Sequence, residues 1–310
     1  MRTRCPCICI DLPRAAMDQA RPAPELVDSA RPSRTALRVA LRRAAHQVFD
    51  ARPLVFEDPL AIRILGPHAA ELERTPGRVL NRKPRPHSVG LRAFLVVRSR
   101  FAEDVLARAV ATGVMQYVVL GAGLDTFAHR NPYAGLRVFE VDHPATQEWK
   151  RELVAGTGLA HPERLTYVPV DFEHQSLHDG LNAAGFDPTA PAVFTWLGVV
   201  PYLTLEAFRS TISFIAGRPS GSAVTFDYAQ PRATLPYLEQ LALDSLAYRV
   251  SLSGEHFKLF FIPAEIASEL AVFRDIEDLG TSDLNARYFA NRHDRLRLHG
   301  EAPRIVSARI

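Results

Sequence analysis

Beyond residue 9 the chain has no cysteine, so no disulfide framework can hold it together and a reducing, cytoplasmic setting is expected. Its three cysteines, Cys5, Cys7 and Cys9, all lie in the N-terminal tail. A closed zinc site wants four ligands, so this C-x-C-x-C cluster reads as part of a structureless lead-in and no metal is expected. Long apolar runs are missing as well. Nothing approaches the length of a membrane span, and the short apolar run near the N-terminus ends at Asp11, too early for the core of a signal peptide. Lysine is scarce, three against 34 arginines, but charge of one sign is not in excess. The net charge is +3, and acidic residues are interspersed without a basic stripe carrying aromatics, which argues against nucleic acid as a partner. The arginine bias then reflects codon usage rather than a ligand.

What is present suffices for a sizeable core: 47% apolar residues over 310, enough for one large domain with additions or two smaller ones. Residues 1–32 are rich in Pro, Arg and Ala without periodicity and read as a flexible tail, with Met17 as a second candidate start. Residues 33–88 read as a helical cap. Ser33 can cap a helix in which Leu37, Leu41, Ala44 and Val48 recur at helical spacing, and "FEDPLAIRILG" (56–66) predicts a second short helix. A loop over 75–88 follows, and then a long helix from Val89 to about Ala111.

From there short apolar runs alternate with helical stretches. Strands are expected at Gln116–Leu120, Leu136–Val141, Leu165–Val170, Ala192–Trp196, Ser222–Asp227, Val272–Glu277 and Arg304–Ala308. Helices are expected near Thr126–His129, Pro144–Ala155, Ser176–Ala184, Leu205–Ala216, after Pro263 and at Ser282–Asn291, with an irregular insertion at 228–262. Such alternation predicts βαβ units: an α/β, Rossmann-like, doubly wound and mostly parallel sheet of seven strands, over residues 89–310.

In such sheets ligands sit beyond the C-terminal ends of the strands. "YVVLGAGLDTF" (117–127) is a strand entering a turn with Gly121, Ala122 and Gly123, but Thr126 stands where a dinucleotide turn has its third glycine. Asp125 beside it would repel a pyrophosphate and suits a ligand with positive charge and no phosphate. "RVFEVDHP" brings Glu140 and Asp142 to the end of the second strand, where a carboxylate accepts both ribose hydroxyls of either NAD or S-adenosylmethionine. "YVPVDFEH" brings Asp171 and Phe172 to the end of the third, for an adenine amine and an adenine face.

"VVLGAGLDTFAHR", "VFEVDHP", "VPVDF" and "WLGVVPYLT" resemble, in order and spacing, the leucine carboxyl methyltransferase-like family of class I S-adenosylmethionine-dependent methyltransferases. The likeness runs from about Ser33 to Ile310 and is greatest to a bacterial branch that includes polyketide carboxyl O-methyltransferases. It implies an enzyme with S-adenosylmethionine as cofactor. Gly121, Ala122 and Gly123 would line its methionine part, Asp142 the ribose, Asp171 and Phe172 the adenine, and Arg98 the carboxylate, with Arg100 the fallback if the helix register slips. The family's glutamate after the fourth strand is replaced by Leu197, which loses an acceptor for the cofactor ammonium; backbone carbonyls near Gly121, or Asp125, are the expected substitutes.

The expected reaction is O-methylation of a carboxylate or hydroxyl of a small molecule, of polyketide-type secondary metabolism. Tyr202 is the one catalytic candidate, and the insertion with the N-terminal helices forms the lid and acceptor pocket. His143, His174 and His256 lie near site loops without an assigned role. An NAD(P)-dependent oxidoreductase shares the first two markers but lacks the third glycine and a Tyr-x-x-x-Lys pair. A non-catalytic cofactor-binding relative is the other alternative. Oligomeric state stays open.

Overall fold

The computed structural model describes residues 33–74, 86–171, 175–252 and 254–310. The tail 1–32 and most of the expected loop before the long helix lie outside the described residues, as do Phe172 and His174.

Seven strands form one sheet in the order β3-β2-β1-β4-β5-β7-β6. They are β1 (Gln116–Leu120), β2 (Arg137–Asp142), β3 (Leu165–Pro169), β4 (Val193–Trp196), β5 (Ala223–Ala229), β6 (Arg274–Leu279) and β7 (Pro303–Arg309). β1 to β5 pair in parallel, whereas β7 runs antiparallel to both β5 and β6. Strand order therefore reverses between β1 and β4. Every residue of β1 is buried, as a parallel strand covered on both faces requires.

On one face Tyr117 and Val119 pack with Leu106 and Ala109 of the long helix Pro86–Ala111 and with Phe127. On the other, Val118 and Leu120 join Trp196, Phe208, Ile212 and Phe226. The Leu205–Ala216 helix starts where Thr204 accepts the Ala207 N–H at 3.2 Å, and it buries Phe208, Thr211, Ile212 and Ile215 at helical spacing. Phe208 stacks on Trp196 at 5.8 Å between ring centres, nearly parallel.

The cap helix Arg34–Phe49 begins as expected: the Ser33 hydroxyl accepts the Ala36 N–H at 3.1 Å. Its Ala40 and Ala44 pack on Ile64, Leu65 and Leu124 of the glycine turn. The second short helix differs from expectation. Residues Arg63–Ala69 form a tight 3-10 segment broken at Gly66, whose φ of +52° precedes Pro67. Asp58 holds the approach instead, accepting from Leu60 N–H while its own N–H donates to Gln47.

Two boundaries move for physical reasons. The long helix starts at Pro86 rather than Val89, since proline is tolerated in a first helical turn. β5 runs to Ala229 because it is zipped antiparallel to β7 along its whole length, so the insertion expected from residue 228 starts after it. That insertion holds the helix Tyr237–Ser251 and an extended stretch whose Lys258 and Leu259 N–H groups donate to the Pro201 carbonyl at 2.7 and 3.2 Å.

Candidate active site

Past Leu120 the chain bends twice. The N–H groups of Gly121 and Ala122 both donate to the Val141 carbonyl, at 2.8 and 3.1 Å. Gly121 and Gly123 have φ of +65° and +49°, a region where side chains are strained. A Cβ on Gly121 would collide with Val199, and one on Gly123 would press the Ala36 Cβ at 3.2 Å. The turn is thus walled by the β4 loop on one side and the N-terminal helix on the other.

Asp142 ends β2, and its carboxylate accepts from the Gly123 N–H at 2.5 Å and the His143 N–H at 2.7 Å. Burial raises the Asp142 carboxyl above its usual range, against the pull of those two donors. Asp171 follows the neighbouring strand end. The Val170 N–H donates to the Asp142 carbonyl at 2.9 Å, and His143 Nε2 stands 3.9 Å from Asp171 Oδ2. The turn and both carboxylates therefore share one edge of the sheet. Phe172, the expected adenine neighbour, is outside the described residues.

Arg98 reaches from the long helix to the C-terminal half of β5, where its Nη1 donates to Asp227 Oδ2 at 3.1 Å. Arg100, the fallback, is exposed and pairs with Asp104 at 2.8 Å on its own helix, so the register belongs to Arg98. Leu197 comes directly after β4. Tyr202 is half-buried with its ring 5.2 Å from that of Phe257. Burial and the charge of Glu255 push its phenol well above the ordinary tyrosine range, so it stays un-ionised at neutral pH.

Two acids and a threonine do other work than the sequence implied. Asp125 is no substitute for the missing family glutamate: its Oδ2 pairs with Arg43 at 3.2 Å and its Oδ1 accepts the Phe127 N–H at 2.7 Å. Burial alone would raise the Asp125 carboxyl, but Arg43, Lys150 and Arg130 bring it below its usual value. Thr126, at the position of the missing glycine, is buried and donates to Asp58 Oδ2 at 2.7 Å. Arg43 also donates to the Leu124 carbonyl at 2.8 Å, so the residue that departs from the dinucleotide pattern clamps the cap onto the turn. Glu140 is withdrawn from the edge, buried against Lys150 Nζ at 2.5 Å.

Asp227 and Glu255 escaped the sequence reading. Asp227 served only as a strand boundary, although it lies in the C-terminal half of β5, directly after the last residue of that strand paired with β4. Glu255 accepts from the Ser33 and Thr35 hydroxyls at 3.1 and 2.5 Å, joining insertion to cap. No local pattern announces such a contact.

The donor set fits S-adenosylmethionine: a carboxylate for a vicinal diol, a second beside it, a buried guanidinium, and a turn too tight for side chains. The described residues contain no group of three or more potential metal ligands and no helix long and apolar enough to cross a membrane.

The chain is similar to known methyltransferases along most of its length. The leucine carboxyl methyltransferase family model matches residues 36–216. A Bacillus subtilis relative, named "Putative S-adenosyl-L-methionine-dependent methyltransferase YktD", is 32% identical over 292 residues, 85% of this chain and 93% of the relative. A Frankia alni relative of the same description is 37% identical over 57% of this chain and 62% of its own. In fold, the chain resembles a Streptomyces avermitilis protein of the DUF574 family at a TM-score of 0.52, with 18% identity, over 91% of this chain and 98% of that one. Family match, near full-length relative and donor set agree: the chain belongs to the leucine carboxyl methyltransferase family and is an S-adenosylmethionine-dependent methyltransferase.

Proposed function

We propose that the enzyme methylates a carboxylate or hydroxyl oxygen of a small molecule, of the kind found in polyketide-type secondary metabolism. The observation that supports this reading is the pairing of the Tyr202 and Phe257 rings at 5.2 Å, with the Tyr202 phenol within the electrostatic reach of Arg98 and Asp227. The cofactor supplies an electrophilic methyl group on a sulfonium. Asp142 holds the ribose hydroxyls and Asp171, with Phe172, the adenine; Gly121, Ala122 and Gly123 offer backbone to the methionine part, closed over by Leu197, and Arg98 binds its carboxylate. Tyr202 orients the acceptor oxygen by donating a hydrogen bond, and Phe257 covers it from water. A carboxylate acceptor needs no base, because it is already ionised at neutral pH. Aligning acceptor and methyl group then accounts for most of the rate.

The test is transfer of labelled methyl from S-adenosylmethionine to a panel of aromatic and aliphatic acids, phenols and amines, followed by alkaline treatment of the product. A methyl ester releases methanol and a methyl ether does not. Labelled amine as the sole product would overturn the oxygen assignment.

A further inference from the structure

Leu197 removes the acid expected after β4, yet the adjoining strand supplies another. β4 and β5 run parallel with Trp196 beside Phe226, so the next residues, Leu197 and Asp227, are lateral neighbours at the same edge. Asp227 is only 4% exposed. Its Oδ1 accepts the Gly198 N–H at 2.5 Å and its Oδ2 accepts from Arg98 at 3.1 Å. Gly198 has a φ of +74°, and a Cβ there would lie 2.7 Å from both terminal guanidinium nitrogens of Arg98. The loop backbone therefore lies directly on the ion pair. The other nearby acids are committed: Asp125 to Arg43, Glu140 to Lys150, and Glu255 to the Ser33 and Thr35 hydroxyls.

We propose that Arg98 and Asp227 together receive a zwitterion: Arg98 takes the carboxylate of the amino-acid end of the cofactor, and Asp227 takes its ammonium. The proposal rests on the reading of Arg98 given above. Its physical basis is charge balance. A buried ion pair is tolerated because each charge satisfies the other, and removing one partner leaves the remaining charge uncompensated. A ligand carrying one charge of each sign exchanges partners with the pair and leaves nothing unmatched. A ligand carrying only a carboxylate places a second negative charge beside Asp227. The acid lost from the β4 loop is thus replaced from β5, one strand away.

Three ligands test this by calorimetry on the full chain: S-adenosylhomocysteine, its des-amino analogue, and 5′-methylthioadenosine, which lacks the amino-acid end. The wild-type chain should prefer S-adenosylhomocysteine over the des-amino analogue by at least about tenfold, the scale of a charged hydrogen bond. Asp227→Asn keeps an oxygen for Gly198 but loses the charge, and it should reduce that preference about tenfold or more while leaving 5′-methylthioadenosine within about threefold. A merely structural Asp227 would weaken all three ligands together and leave the preference intact, which overturns the proposal. Should D227N not fold, the wild-type series decides alone: a des-amino analogue that binds as well as S-adenosylhomocysteine overturns it. A wild-type chain that binds neither S-adenosylhomocysteine nor 5′-methylthioadenosine overturns the cofactor-site reading, and the proposal with it.

Discussion

On the β2–β3 side of the glycine turn, Asp142 reaches the Gly123 N–H across 19 residues of sequence; on the β4–β5 side, Arg98 reaches Asp227 across 129. The first side follows from a repeated local rule. β2 ends in Asp142 and Asp171 follows two residues after β3, and the parallel sheet sets those ends beside one another. The second side depends on how the long helix crosses the sheet, and it joins residues whose sequence neighbours say nothing about the contact. A third contact also depends on the tertiary fold: Arg43 pairs with Asp58 of the cap and reaches Asp125 of the turn across 82 residues. Shorter-range geometry therefore holds Asp142 on the glycine turn, and long-range ion pairs hold Arg98 and tie the cap to the turn.

The largest effect should come from breaking the cap clamp. Arg43→Leu takes a charge partner from two acids, of which Asp58 is fully buried and keeps only Arg130 at 3.6 Å as a cation, and should cost about 3 kcal/mol of stability by urea denaturation. A loss under about 1 kcal/mol would show that the clamp adds little beyond the apolar cap contacts. Next comes the nucleoside side. Asp142→Ala removes the acceptor for the ribose hydroxyls, and affinity for S-adenosylhomocysteine should fall about 30- to 100-fold, roughly 2–3 kcal/mol. An unchanged dissociation constant would take Asp142 out of the site.

A smaller effect concerns pH. Burial, then Lys150 and His161, lower His129 to about 4, with Asp125 pulling weakly the other way. Between about pH 6.5 and 4 the unfolded chain carries a proton there that the folded chain refuses, so this contribution to stability is present above pH 6.5 and lost on acidification. His129→Gln should therefore flatten the fall of melting temperature from pH 7 to 4.5 relative to wild type, and parallel curves would refute the assignment. Smallest of all, Arg100→Ala should leave stability and cofactor affinity within about 0.5 kcal/mol of wild type, since this arginine is an exposed residue paired along its own helix. A large loss of affinity there would reverse the choice between Arg98 and Arg100.

Much of this molecule was legible before folding. A short apolar run such as Tyr117–Leu120, rich in β-branched residues and flanked by glycines, reads as a strand buried on both faces, and Leu205–Ala216 declares itself by a capping threonine and an apolar stripe. Gly121, Gly123, Asp142 and Asp171 were legible because a parallel sheet puts strand ends in one place whatever else the chain does. Asp125 and Thr126 were legible as a departure from the dinucleotide pattern, but their reason was not. They serve the cap, through Arg43 and Asp58, rather than a ligand charge. Glu140 and Asp142 look equivalent in "FEVD", yet one is sealed against Lys150 and the other meets the glycine turn.

The sequence by itself determined the strands, the turn and the order of its acids, because hydrophobic period and glycine conformation act over a few residues. Only the tertiary structure decided which charges find partners. Asp227 becomes the neighbour of both Leu197 and Arg98 only when β4 pairs with β5 under the long helix, and electrostatic pairing depends on distance in space, which spacing along the chain does not encode.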